Sequence, residues 1–426
     1  MSTTKLNQNQ IRGFWAAWAG WALDGMDSFI YALVLVPALR DLLPKSGVAA
    51  GTGEIGFYGG LLFAIFLIGW GCAFLWGPLA DRFGRVRTLM LTILCYSLFT
   101  FLGSVATNVW QLALFRFFAG AGIGGEWTLG GVFVAEAWPE SRRREGAAYM
   151  HTGYYFGTFL AAIVNYTVGA HYGWRAVFAV GGAPALLLAF IRYSVVEPDR
   201  WKQRMGELGR RWTARRAFFA LFSLEYRRRT VVNSTLLLVS MIGLWAGSVY
   251  VPSSVTYLAS NAGYSNSQGA QLASYGTMLL SIGTILGCLM LPSLAAKLGR
   301  RGALGFYFVL MLVFISLGFG YVFYLGPNAL LWFFACLFFL GVGGANFAVY
   351  TLWLPEQYRT ECRGSAFAFA TSFGRFLAAG VTFLVGAGVA HYQTIGKPVA
   401  ITALAFLAGL FLLPLAEETR DKELPA

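Results

Sequence analysis

The sequence predicts an all-α integral membrane protein with twelve transmembrane helices in two pseudo-symmetric six-helix bundles. Three observations carry that expectation. Of 426 residues, 57% are hydrophobic and only 12% are charged, whereas a soluble globular domain carries about 25% charged residues. Apolar runs near the length that crosses a bilayer, about 20 residues, recur along the whole chain. Short motifs also repeat between the two halves at offsets of about 215–219 residues, the mark of an internal structural repeat.

Taken in order, the N-terminal stretch MSTTKLNQNQIRG is short and polar. The first apolar run is already a full span, so no signal peptide is expected. The spans fall near 14–39, 56–76, 88–107, 110–135, 147–170, 174–194, 231–258, 269–295, 303–325, 328–353, 365–390 and 398–415. Of the 32 Lys and Arg, 26 lie in alternate loops, four on the other side and two, Arg116 and Arg375, inside spans. Both termini and the central linker are therefore expected in the cytoplasm under the positive-inside rule. The expected organisation is an N-terminal bundle over 1–195, a basic linker over 196–230 and a C-terminal bundle over 231–426. The linker segment RWKQRMGELGRRWTARRAFFA suits a basic amphipathic helix on the inner leaflet.

The repeat is explicit. Phe156-Gly-Thr-Phe-Leu-Ala-Ala162 returns as Phe373-Gly-Arg-Phe-Leu-Ala-Ala379, and Gly122-Ile-Gly-Gly125 as Gly341-Val-Gly-Gly344. Pro139-Glu-Ser-Arg-Arg143 returns as Pro355-Glu-Gln-Tyr-Arg359.

The segment Gly77-Pro-Leu-Ala-Asp-Arg-Phe-Gly-Arg-Val-Arg87 resembles the signature loop of the major facilitator superfamily, and Ala296-Lys-Leu-Gly-Arg-Arg301 resembles its degenerate second copy. Leu23-Asp-Gly-Met-Asp27 is similar to the acidic first-span motif of the sialate:proton and aromatic-acid:proton symporters. Gly120-Ala-Gly-Ile-Gly-Gly-Glu-Trp127 and Glu136-Ala-Trp-Pro-Glu140 resemble the sialate/lactate symporters. The resemblance implies a monomeric secondary transporter working by alternating access. Arg116 matches the arginine of the superfamily's fourth-span motif, which in that resemblance is coupled to proton movement.

Asp24 and Asp27 sit inside the first span, three residues apart and hence on one helical face. An ionised carboxylate at mid-bilayer costs at least about 2.5–3.5 kcal/mol, so that face must meet protein or water. Arg116 enters the fourth span at a depth that allows it to reach Asp27. Asp24, Asp27, Arg116 and, deeper on the same fourth span, Glu126 form a candidate proton-coupling set. For Asp27–Arg116 the alternative is a static salt bridge, and for Glu126 a partner of the cytoplasmic gate. His151 is either a proton relay or a hydrogen-bonded interior side chain.

Arg375 has no acid within the C-terminal spans to neutralise it, and the internal repeat places Thr158 at the equivalent position. A buried guanidinium without a counter-charge is costly, and a ligand carboxylate is its natural partner. The alternative is pairing across the halves with Asp81 or another N-half acid. Candidate cavity residues are Tyr154, Tyr155, Trp245, Asn346 and Tyr350, with Tyr250 and Trp127 beside them. Asp81, Arg82, Gly84 and Arg85 are assigned to a gate rather than to ligand.

The expected function is proton-coupled symport of an organic acid anion: a monocarboxylate, a sialic-acid-like sugar acid or an aromatic acid. The alternatives are a proton-coupled sugar or polyol porter, an organic-cation carrier, or a transport-inactive nutrient sensor. An enzyme is not expected, because no Walker motif, metal spacing or catalytic triad is present. Neither a cofactor, a metal nor nucleic acid is expected as a partner. Cys72, Cys95, Cys288, Cys336 and Cys362 are expected to be free thiols, being odd in number and without ligand spacing. Short outer loops without a glycosylation sequon point to a bacterial inner membrane.

Overall fold

The structure is a computed structural model that describes residues 6–76, 79, 85–186, 214–420, 422 and 425. Asp81, Arg82, Gly84 and residues 196–213 of the expected linker lie outside the described residues, as do the side chains of Arg85, Glu126 and Trp245. All regular elements among the described residues are helical.

The first helix, α1 (Gln8–Lys45), begins at a capping box in which Asn7 and Gln10 each accept the other's backbone N–H at 2.8 Å. Its 38 residues span about 57 Å at 1.5 Å per residue. It therefore overruns both ends of the apolar stretch 14–39. The N-terminal half continues with α2 (Thr52–Gly71), α3 (Arg85–Gly103), α4 (Val109–Ala137), α5 (Arg143–Val164) and α6 (Ala170–Val180). A π-helical turn, Asn165–Gly169, joins α5 to α6.

The C-terminal half holds α7 (Ala214–Ala220), α8 (Arg227–Ser248), α9 (Val251–Asn261), α10 (Asn266–Gly320), α11 (Ala329–Gly344), α12 (Asn346–Trp353), α13 (Thr360–Tyr392), α14 (Gly396–Ile401) and α15 (Leu404–Leu412). Two expected spans are thus broken: 231–258 becomes α8 and α9, and 328–353 becomes α11 and α12. Two others, 269–295 and 303–325, run together in α10, which turns at Gly299 with φ 73°. That positive φ is open to glycine and strained for other residues. Gly173 makes the same turn in α6, with φ 79° and ψ −179° against φ 73° and ψ −176° at Gly299.

Six helical stretches among the described residues are long and apolar enough to cross a membrane. On α3, Leu91, Leu94, Leu98 and Phe101 recur every three or four residues and stand about half exposed. An apolar stripe of this kind belongs against lipid rather than water.

Glycines set the helix crossings. A Cβ on Gly157 would lie 1.6 Å from the Ala22 carbonyl oxygen, and one on Gly25 only 1.9 Å from that of Tyr154. This backbone contact presses α5 onto the acidic face of α1, the small-residue packing that membrane helices use. Gly69 and Gly120 lock α2 to α4 in the same manner, as Gly283 and Gly341 lock α10 to α11. The two halves meet along α2 with α13 and along α5 with α10. In the first seam a Cβ on Gly60 would stand 3.0 Å from the Gly386 Cα. In the second, Asn165 donates to the Ser274 hydroxyl at 3.1 Å.

Candidate functional site

Asp24 and Asp27 of α1 are fully buried, both at 0% exposure. The α1–α4 and α1–α5 contacts explain how. Asp27 faces α4, where Arg116 Nη1 lies 3.6 Å from its Oδ2. On its other side, the Thr100 hydroxyl of α3 donates to Asp27 Oδ1. The Arg116 guanidinium carbon lies over two aromatic rings, 4.2 Å from the Phe66 centroid and 5.1 Å from that of Tyr31. Cation–π contacts of this kind contribute up to about 2 kcal/mol when desolvated.

Arg375, on α13, is as deeply buried as Arg116. Its surroundings differ. Its guanidinium carbon lies 4.2 Å over the Trp70 ring and 5.4 Å over the Trp127 ring. Among the described residues its Nε and Nη1 are buried without a hydrogen-bond partner, as are Nε, Nη1 and Nη2 of Arg116. Asp24 and Tyr154, both from the N-terminal half, act on it electrostatically. The charged centre therefore straddles the two halves. Thr158, at the repeat position of Arg375, bonds the Tyr154 carbonyl of its own helix at 3.1 Å.

Aromatic groups close around this centre. Trp21 stacks on Trp127 with centroids 5.6 Å apart and lies 4.8 Å from Tyr154. The Trp21 Nε1 is buried without a hydrogen-bond partner. On the side of α12, Trp127 Nε1 donates to the Thr351 hydroxyl at 3.1 Å, and His151 Nδ1 lies 3.4 Å from the same oxygen. Thr351 thus joins the two halves. Tyr155 makes a second bridge, donating to the Gly344 carbonyl at 3.1 Å.

The remaining sequence candidates are placed as follows. Tyr350 is buried and shares a 3.0 Å hydrogen bond with Ser240 inside the C-terminal half. Asn346 donates to the Gly343 carbonyl at 2.9 Å at the α11–α12 break, and its Oδ1 is buried without a partner. Tyr250 lies where α8 gives way to α9, next to Gly60 and Gly386. Trp21, Trp70, Thr100 and Thr351 are additions from the structure. Trp21 stands three residues before Asp24, a one-face spacing legible in the sequence. The others lie on different helices, and only packing brings them together. The five cysteines are free thiols, and no group of residues suited to a metal occurs among the described residues.

Apolar spanning helices and a charged centre where two halves meet fit a multi-pass membrane transport protein. The chain belongs to the Major Facilitator Superfamily, whose family profile matches residues 17–383. It is 28% identical to a probable 4-methylmuconolactone transporter of Cupriavidus pinatubonensis, over 96% of this chain and 91% of that one. It is 31% identical to the sialic acid transporter NanX of Escherichia coli, over 46% of each chain. The matches at 30% identity or more span about half or less of those relatives. Among solved structures, the proton:xylose symporter XylE superposes with a TM-score of 0.76 over 98% of both chains at 21% identity, a likeness of fold.

Proposed function

We propose that this chain is a secondary active transporter that carries a small organic acid anion together with protons by alternating access. The observation that carries this reading is Arg375: a buried guanidinium lying over two tryptophan rings, with two nitrogens lacking acceptors among the described residues. A ligand carboxylate supplies those acceptors and balances the charge. The aromatic walls from Trp21, Trp70, Trp127 and Tyr154 favour a planar, unsaturated or aromatic acid over a polyhydroxylated one. The transported molecules named for the Cupriavidus and E. coli relatives, a methylmuconolactone and sialic acid, support the organic-acid class.

Asp27 with Arg116, and Asp24 near Arg375, are the proposed proton carriers. A carboxylate binds a proton more tightly when desolvated and less tightly near a guanidinium. Rocking of the 1–195 and 231–426 bundles would change both hydration and distance. The termini and the linker over 196–230 are assigned to the cytoplasm, and the membrane to a bacterial inner membrane. Glu126, Asp81, Arg82, Gly84 and Arg85 keep their proposed roles as path and gate.

The test is ligand-induced proton flux in proteoliposomes, across benzoates, muconates, lactate, sialic acid, xylose and small cations. Flux with an acid, lost in Asp27→Asn, supports symport and names the ligand. Flux with xylose alone, unaffected by Arg375→Ala, sinks the carboxylate reading and favours a sugar porter.

A further inference from the structure

Away from the centre, at the arginine-rich end of the molecule, a cleft of about 260 Å³ opens between the halves. Arg143, Arg144 and Glu140 line it from the N-terminal half, and Arg300, Glu356 and Lys422 from the C-terminal half. Four cations face two acids, and one of the four, Lys422, also pairs with Glu417 at 2.9 Å. Both acids are already engaged. Glu140 accepts from Arg143 Nη2 at 2.7 Å, and Glu356 takes the Arg300 fork at 3.0 and 2.7 Å together with the Thr419 hydroxyl.

Two donors remain over. Among the described residues Arg143 Nε and Arg300 Nη1 are buried without a hydrogen-bond partner, and the two side chains are only 6% and 4% exposed. Leaving a buried donor unmade is costly, and more so when it is charged. The cleft has room for several waters at about 30 Å³ each. A carboxylate offers two oxygens in one plane, which a single arginine fork satisfies. A phosphate group offers at least three oxygens in diverging directions, which forks from opposite walls can share.

We propose that this cleft is a regulatory site for a phosphate monoester or inorganic phosphate dianion, bound between Arg143 and Arg144 on one half and Arg300 and Lys422 on the other. The anion touches both halves only when they are closed at this end. By linkage it favours that closed state and slows opening there. The phosphate group comes either from a free cytoplasmic species or from the headgroup of phosphatidic acid, and the chemistry of binding is the same.

The experiment uses the full chain. Thermal stability and calorimetric binding are measured in detergent with inorganic phosphate against chloride at matched ionic strength. They are repeated in nanodiscs of phosphatidylcholine with and without phosphatidic acid. A stabilising shift with inorganic phosphate identifies a free ligand, and one with phosphatidic acid alone identifies the lipid. Either shift must weaken about tenfold in apparent affinity in both Arg144→Gln and Lys422→Gln, residues outside the central site. A flux arm, which rests on the transporter reading, expects phosphate on the arginine-rich side to slow transport by the native chain and not by Arg144→Gln. No shift with either probe, or shifts in both variants as large as in the native chain, overturns the proposal. The binding arms stand even where no transported acid is found.

Discussion

Arg116 and Arg375 are the same residue, equally buried and each laid on aromatic rings, yet they are in different electrostatic situations. Arg116 has a carboxylate at 3.6 Å, in its own half. Arg375, whose Nε and Nη1 like the nitrogens of Arg116 lack hydrogen-bond acceptors among the described residues, meets among those residues the acid Asp24 of the other half rather than a carboxylate of its own. The first charge is balanced within one bundle whatever the other bundle does. The balance of the second depends on how the halves sit and on what lies between them. That asymmetry separates a proton-handling group from an anion-binding group.

The largest expected effect tests Arg375. Arg375→Ala removes the fork, and loss of a buried charge partner costs about 2–5 kcal/mol, or roughly 30-fold to several-thousand-fold in affinity. Arg375→Lys keeps the charge but not the planar pair of donors, and should recover only part of the loss. Ligand binding by tryptophan fluorescence, with Trp70 and Trp127 as reporters, reads both. Normal binding in Arg375→Ala, with binding lost in Arg116→Gln, would invert the comparison.

Arg116 should instead betray itself in stability. Arg116→Gln strands the Asp27 carboxylate, and breaking a buried pair costs about 3–5 kcal/mol. Asp27→Asn in the same chain removes the stranded charge and should restore part of the thermal midpoint. A double-mutant cycle with no coupling between the two positions would make the 3.6 Å approach incidental. In transport, Asp27→Asn should preserve ligand exchange and abolish uptake driven by a proton gradient.

A smaller effect concerns the contact that closes the centre. Thr351→Val leaves Trp127 Nε1 without its acceptor and His151 without its hydroxyl neighbour, at about 1–3 kcal/mol for the stranded donor. Because Thr351 and Trp127 lie on opposite halves, the loss should fall on the closed arrangement. Faster labelling of a cysteine placed at Phe367, beside Trp127, would show it. Unchanged labelling would make Thr351 a packing residue.

Much of this was legible from the chain. Asp24, Asp27, Arg116 and Arg375 stand out because charges are expensive inside apolar runs, and a cost of that size is visible without coordinates. Glycines recur in the fourth span at 120, 122, 124 and 125, and Gly69 with Gly120 brings α2 and α4 into backbone contact. What the sequence did not disclose is which neutral groups surround those charges. Trp70 and Thr100 lie on α2 and α3 and look like ordinary span residues, and only helix crossings bring them to Arg375 and Asp27. The breaks at Ala345 and after Ser248 lie inside apolar stretches that a hydropathy reading runs through as single spans, although Gly343-Gly344 and Pro252 stand beside them.

The smallest effect lies at the end of α1, where Asp41 accepts from Lys45 and from Arg175. The Lys45 hydrogen bond, with Arg175 adding to it, outweighs burial and holds the Asp41 carboxyl below its usual value of 3.8. The folded value is therefore lower than the unfolded one. Its stabilisation is fully present above the unfolded value and is lost as pH falls through the folded value. The pair is partly exposed, at 31% for Asp41 and 40% for Arg175, so the contribution is about 0.2–1 kcal/mol and weaker in salt. Asp41→Asn should lower the thermal midpoint slightly at pH 7, and the deficit should shrink as pH falls below 3.8 and disappear below the folded value. Unlike the deficit in Arg116→Gln, this one should shrink as salt is added. A deficit that persisted undiminished in high salt would place Asp41 with the buried pair at Asp27 rather than with a solvated clamp.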